Sequence, residues 1–173
     1  CNDTVKNRDH LIRCQHPSCT TWRATLLRTI RTNSKRLDTD PVLLQLLMES
    51  LHAWLNRQPP PSPAAYPAAY RRLVREQNIL GWRQLFNGRW STEWTRLQQR
   101  YLNRHYDPIP DKFAGTYWTS AHIDILWRGF RQLWEQRNGK VHGNDTSTRA
   151  EARRDKTHRE LKALYSLRAY QTH

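Results

Sequence analysis

The chain has 173 residues with 29 Lys+Arg against 15 Asp+Glu, a formal net charge of +14, and 37% hydrophobic residues. That length suits one domain, or one and a half, with a thin core, and an aromatic share of 10% separates it from a disordered polar chain. No apolar run reaches the ~18 residues of a bilayer-spanning helix, and no charged segment followed by an apolar one opens the chain, so neither a membrane span nor a visible secretion signal is expected.

The basic excess consists of 23 Arg and 6 Lys. A guanidinium fork donates two parallel hydrogen bonds to a phosphate and stacks on bases, whereas an ammonium is a hydrated point charge, so arginine dominance favours RNA or DNA as a partner. A GC-rich gene would produce the same bias. All three cysteines lie in the first nineteen positions, too few and too bunched for a disulfide scaffold. A reducing compartment follows, nuclear or cytoplasmic. Cys1 in place of methionine is taken to mark a piece of a longer polypeptide.

In chain order, residues 1–20 read as a polar, aperiodic, partial zinc-knuckle-like segment offering Cys1, His10, Cys14, His16 and Cys19. Zinc requires four soft or borderline ligands; His10 and Cys14 make one pair, Cys1 a third ligand, and the fourth is His16, Cys19 or a cysteine preceding the chain. Residues 21–57 read as a helical pair. Trp22, Leu26 and Ile30 recur every four residues beside five cations, and Asp40-Pro41 caps a second helix with Leu43, Leu47, Leu51 and Trp54/Leu55 inward. Residues 58–68 hold five of the nine prolines and read as a semi-rigid linker.

Residues 69–173 read as a basic helical domain. A helix is expected from about Tyr70 to Gly88, then one with Trp90, Trp94, Leu97 and Tyr101 inward, then one from Thr119 or Ser120 to Asn138-Gly139 with Ile123, Trp127, Phe130 and Trp134 inward. A last helix starts at the capping box Thr148-Arg149-Ala150-Glu151 and continues through Leu161, Leu164 and Tyr165. No segment alternates long enough for a strand. The fold class is all-α, an irregular bundle of five to six helices with a small amino-terminal Cys/His lobe.

The stripes of Trp90/Trp94 and Trp127/Trp134 place these rings in the core rather than on a base-stacking platform. Arg96, Arg100 and Arg104 follow at spacings of four and form a row flanking Trp94, Leu97 and Tyr101. With Arg71, Arg72, Arg75 and Arg89 they are the candidate phosphate contacts; an ordinary solvated flank would have the same spacing.

The cluster Cys1-x8-His10-x3-Cys14, the Trp-led helix, the Pro-rich break, Gln77-Asn78-Ile79-Leu80-Gly81-Trp82 through Phe86-x-Gly88-Arg89 and Trp94, and Leu133-Trp134-Glu135-Gln136-Arg137-Asn138 with His142-Gly143 resemble the region downstream of the polymerase in certain retroelement reverse-transcriptase proteins. The resemblance implies an accessory, nucleic-acid-binding region without polymerase activity of its own, with zinc on Cys1, His10 and Cys14. The family's leading cysteine is missing here. No Tyr/Phe-x-Asp-Asp, Gly-rich phosphate loop, His-Glu-x-x-His or Gly-x-Ser-x-Gly occurs, and Asp107 and Asp111 flank prolines as turn caps.

Arg137-Asn138-Gly139-Lys140-Val141-His142 is similar to the Arg-polar-x-x-x-His motif of HEPN-type metal-independent ribonucleases. That resemblance implies an alternative in which Arg137 holds a scissile phosphate and His142 moves a proton. The same residues also fit a helix end closed by Asn-Gly. A helical protein-interaction module is the third reading.

Overall fold

The computed structural model describes residues 8–106, 114–142 and 146–170. Among them are seven α-helices and no strand: α1 Arg8–Arg13, α2 Pro17–Arg36, α3 Pro41–Leu55, α4 Arg71–Leu80, α5 Thr92–His105, α6 Ala114–His142 and α7 Thr146–Tyr170. Six correspond to the expected helices and α1 is additional. By contacts the chain divides into two units, Cys1–Phe130 and Arg131–His173.

From Arg8 onward the amino-terminal lobe is helical rather than aperiodic. The His16 side chain accepts from Ser18 N at 3.3 Å and Pro17 opens α2, so the helix starts five residues ahead of Trp22. A capping imidazole does here what Ser or Asp usually does. Helix α3 starts as its sequence dictates, with Asp40 Oδ1 accepting from Val42 N at 2.8 Å and Pro41 in the first turn. Leu43, Leu46, Leu47, Leu51 and Leu55 are all buried, whereas Trp54 is half-buried beside Phe86.

The Pro-rich stretch forms two 3-10 turns, Pro63–Ala65 and Ala68–Tyr70, and is docked by its tyrosines. Tyr66 donates to Glu49 Oε2 at 2.5 Å and Tyr70 to Asp40 Oδ2 at 2.5 Å. The helix expected up to Gly88 stops at Leu80. Gly81, at φ 88°, ends α4, and a 3-10 segment, Trp82–Asn87, leads to Gly88 at φ 74°. Both glycines adopt positive φ, open to a residue without Cβ, so the chain turns before and after this segment, and Trp82 between them is buried.

The core of the first unit is a tryptophan cluster. Trp94 and Trp118 stack with centroids 6.1 Å apart, and Trp90 meets Trp94 edge-on at 5.3 Å. The indole N–H groups of the buried tryptophans all have acceptors: Trp22 Nε1 donates to Gly129 O, Trp82 to Asn78 Oδ1, Trp94 to Gln77 Oε1 and Trp118 to Thr39 Oγ1. Gln77 and Gln98 are completely buried and act as pins: Gln98 donates to Asp38 O and accepts from Asp40 N, tying α5 to the turn before α3.

Helix α6 starts at Ala114, earlier than expected, and a different face is inward. The buried positions are Gly115, Trp118, His122, Leu126, Gly129 and Leu133. The expected stripe lies one residue, about 100° of turn, to the side; Trp127 and Trp134 on it are 53% and 50% exposed. The cause is close approach: a Cβ on Gly115 would lie 2.4 Å from Thr95 O, and one on Gly129 would lie 2.6 Å from Leu26 Cδ1. A stripe scored by hydrophobicity omits the two glycines and the histidine on which these contacts depend.

In the second unit, α7 starts at Thr146, two residues before the expected capping box, so Thr148 is inside the helix. Its side chains from Arg153 to Lys162 are exposed, including Leu161 at 47%. Leu164 and Tyr165 have side chains outside the described set.

Candidate nucleic-acid interface

The expected phosphate contacts separate into two groups. Arg72 and Arg96 belong to an ion network joining α4 to α5. Glu93, its side chain only 4% exposed, receives Arg96 Nε at 2.9 Å on each oxygen and Arg96 Nη2 on Oε2, while Arg72 Nε lies 3.5 Å from Glu93 Oε1 and 2.8 Å from Glu76 Oε1. Ser91 Oγ donates to Glu76 Oε2 and accepts from Glu93 N, capping α5. The Ser91 hydroxyl and then Arg72 hold the Glu76 carboxyl below the usual carboxylate range. Two cations face two carboxylates, so the network is locally neutral and its first task is to hold buried Glu93.

The second group has no acidic partner among the described residues. Arg75, Arg89, Arg100 and Arg104 are exposed and make no ion pair there, and Arg71 donates from Nε to Tyr66 O at 3.1 Å while keeping its charge uncompensated. Tyr70 brings the start of α4 to α5. Burial and the bond to Asp40 raise its phenol strongly, and the nearby Arg104 and Arg100 pull the other way.

Beside this face, Thr92, Thr95, Arg96, Gln99, Arg100, Asn103 and Thr116 line a groove of about 680 Å³. On α5 these are positions i, i+3, i+4, i+7, i+8 and i+11, a single polar stripe. Gln99 Oε1 accepts from Gly115 N at 2.8 Å and Gln99 Nε2 donates to Asn103 Oδ1 at 2.9 Å, fixing the amide pair. Hydroxyls, amides and two guanidinium groups together form a donor-rich surface suited to phosphate and sugar oxygens. Sequence reasoning missed Thr92, Thr95, Gln99, Asn103 and Thr116. For the four on α5, Thr92, Thr95, Gln99 and Asn103, the i, i+3, i+4 periodicity with Arg96 and Arg100 was the available signal.

At the amino terminus Cys14 and Cys19 are buried free thiols. Burial, then neighbouring Cys14, pushes the Cys19 thiol up. His16 is engaged as the α2 cap, and His10 lies in α1. Among the described residues no three His, Cys, Asp or Glu side chains gather as a metal-ligand group, and Cys1 lies outside them. The α1–α2 loop is held by buried Arg23, which donates to Ile12 O at 3.2 Å, Cys14 O at 2.5 Å and Thr20 Oγ1 at 3.0 Å.

For the ribonuclease-like motif, Arg137 and Asn138 lie within α6, Arg137 Nη1 is 3.4 Å from Asn138 Oδ1, and Gly139 continues the helix instead of ending it. The side chain of His142 lies outside the described set. No helix among the described residues is long and apolar enough to cross a membrane.

The fold is all-α. No family model, curated protein or solved structure matches the chain.

Proposed function

We propose that this region binds RNA or DNA through backbone phosphates, using the face of α5 that carries Arg100 and Arg104 together with Arg71 and Arg75 at the start of α4. The observation that carries this reading is the placement of guanidinium groups without an acidic partner among the described residues beside a hydroxyl- and amide-lined groove, where Arg100 belongs to both. Arg96 contributes its outward edge while its charge is shared with Glu93. In keeping with the resemblance to retroelement reverse transcriptases, the role is accessory: this region grips the strand and a separate domain polymerises. Zinc on Cys1, His10 and Cys14 belongs to the same proposal and would brace the amino-terminal lobe.

Salt titration tests it. If Arg71, Arg75, Arg100 and Arg104 each neutralise one phosphate, log affinity for a single strand falls against log salt with a slope of about −2.8, since each contact releases roughly 0.7 counterion. Arg100→Gln combined with Arg104→Gln should lower the magnitude of that slope by about 1.4. Binding that ignores salt, or the absence of binding at low salt, removes the proposal.

A further inference from the structure

Helices α2 and α3 pack as a hairpin joined by residues 37–40, and a groove of about 690 Å³ runs between them. Ala24, Leu27, Arg28 and Arg31 line it from α2 at positions i, i+3, i+4 and i+7, so one helix face supplies that wall over about 10 Å. Met48, Glu49 and His52 line it from α3. Leu27 and Met48 are half-buried, while Arg28, Arg31, Glu49 and His52 are exposed. The groove therefore joins aliphatic surface to polar rims, and every residue lining it is a described one.

The two rims differ in sign. Arg28 and Arg31 on the α2 rim make no ion pair with any described residue. On the α3 rim Glu49 accepts from Gln45 Nε2 at 2.8 Å and from the Tyr66 hydroxyl at 2.5 Å, neutral donors that orient the carboxylate without cancelling its charge. The His52 imidazole is engaged by the Asn56 amide at 3.2 Å. A ligand seated here meets two guanidinium groups on one side, a carboxylate on the other and aliphatic side chains between.

That arrangement selects among occupants. A nucleic-acid strand carries uniform negative charge and bases that stack on rings; Glu49 opposes the first, and no Trp, Tyr or Phe among the lining residues serves the second. A second copy of a chain with 29 Lys+Arg against 15 Asp+Glu repels the first. We propose that the α2–α3 groove docks an acidic amphipathic helix of a partner protein, with its aliphatic side chains on Leu27 and Met48 and its carboxylates on Arg28 and Arg31. A contact of about two helical turns buries little surface, so the interface is a transient one. It is separate from the α5 face, with which it shares no lining residue.

The test is fluorescence anisotropy of the full chain with a labelled peptide made of two Leu-Glu-Gln-Leu-Glu-Ala-Gln repeats, which as a helix carries leucines on one face and glutamates along its flank. The wild type should bind it saturably. Arg28→Gln with Arg31→Gln should weaken the Kd about tenfold, roughly threefold for each exposed ion pair lost. Both positions are exposed and glutamine is a good helix former, so this double variant keeps the fold. Arg153→Gln with Arg154→Gln removes the same charge from exposed positions of α7 and should leave the Kd unchanged. A peptide with glutamine in place of every leucine should lose binding. Absence of saturable binding, equal losses in the two double variants, or undiminished binding of the leucine-free peptide overturns the site. So does a fall in oligothymidylate affinity in Arg28→Gln with Arg31→Gln at unchanged peptide Kd, which would make the groove a strand site, or a dimer of the chain that this variant dissolves, which would make the occupant a second copy. Strand binding at the α5 face is read separately from its salt slope, so either proposal can fail while the other stands.

Discussion

Ser34 and His122, 88 residues apart in sequence, meet through Oγ and Nε2 at 2.8 Å inside the first unit. The other ring nitrogen, Nδ1, lies 2.9 Å from Trp118 O, a carbonyl that can only accept. Nδ1 therefore carries the proton, Nε2 accepts from the serine hydroxyl, and the buried ring is neutral.

This arrangement makes stability depend on acid. Burial lowers the His122 pKa below its ordinary 6.5, the Trp118 carbonyl opposing weakly. The unfolded chain thus takes up the proton first. The contribution of His122 is fully present above about pH 6.5 and declines as pH falls toward its folded pKa, by at most about 1.4 kcal/mol per pH unit. Urea midpoints at pH 7.5, 6.5 and 5.5 should show this decline. His122→Gln should be less stable at pH 7.5 and show a shallower pH dependence, and an unchanged slope would refute the assignment.

The two groups of arginines should separate by stability. Arg96→Gln leaves buried Glu93 short of its main partner and should cost about 1–3 kcal/mol. Arg100→Gln touches no acid among the described residues and should stay within about 0.5 kcal/mol of wild type. Equal losses in chemical denaturation would mean that Glu93 does not depend on Arg96.

Gly115→Ala raises intrinsic helix propensity but places a methyl 2.4 Å from Thr95 O on the neighbouring helix. Rigid backbone cannot yield as a side chain does, so overpacking wins and the variant should lose about 1–3 kcal/mol. A more stable Gly115→Ala would show that α5 and α6 do not approach this closely.

The two α6 stripes also separate by mutation. Trp118→Ala removes a ring that is 1% exposed and should cost about 3–5 kcal/mol. Trp127→Ala removes a half-exposed ring lying over Gly88 and should cost about 1 kcal/mol. Similar losses at both positions would restore the Trp127 face as core.

Sequence alone determined the local chemistry. Asp40-Pro41 starts a helix wherever that helix packs, Gly88 takes a left-handed turn, and apolar residues every three or four positions make each segment helical. The arginine excess was equally legible because charge is additive along a chain. Tertiary structure decided what depends on partners distant in sequence. Glu76 and Glu93 neutralise Arg72 and Arg96 because α4 and α5 pack together, leaving Arg100 and Arg104 uncompensated among the described residues. The inward face of α6 was chosen by Gly115 and Gly129, which carry no hydrophobic signal but let two backbones approach, and interhelical distance is a property of pairs of helices that no single periodic stripe encodes.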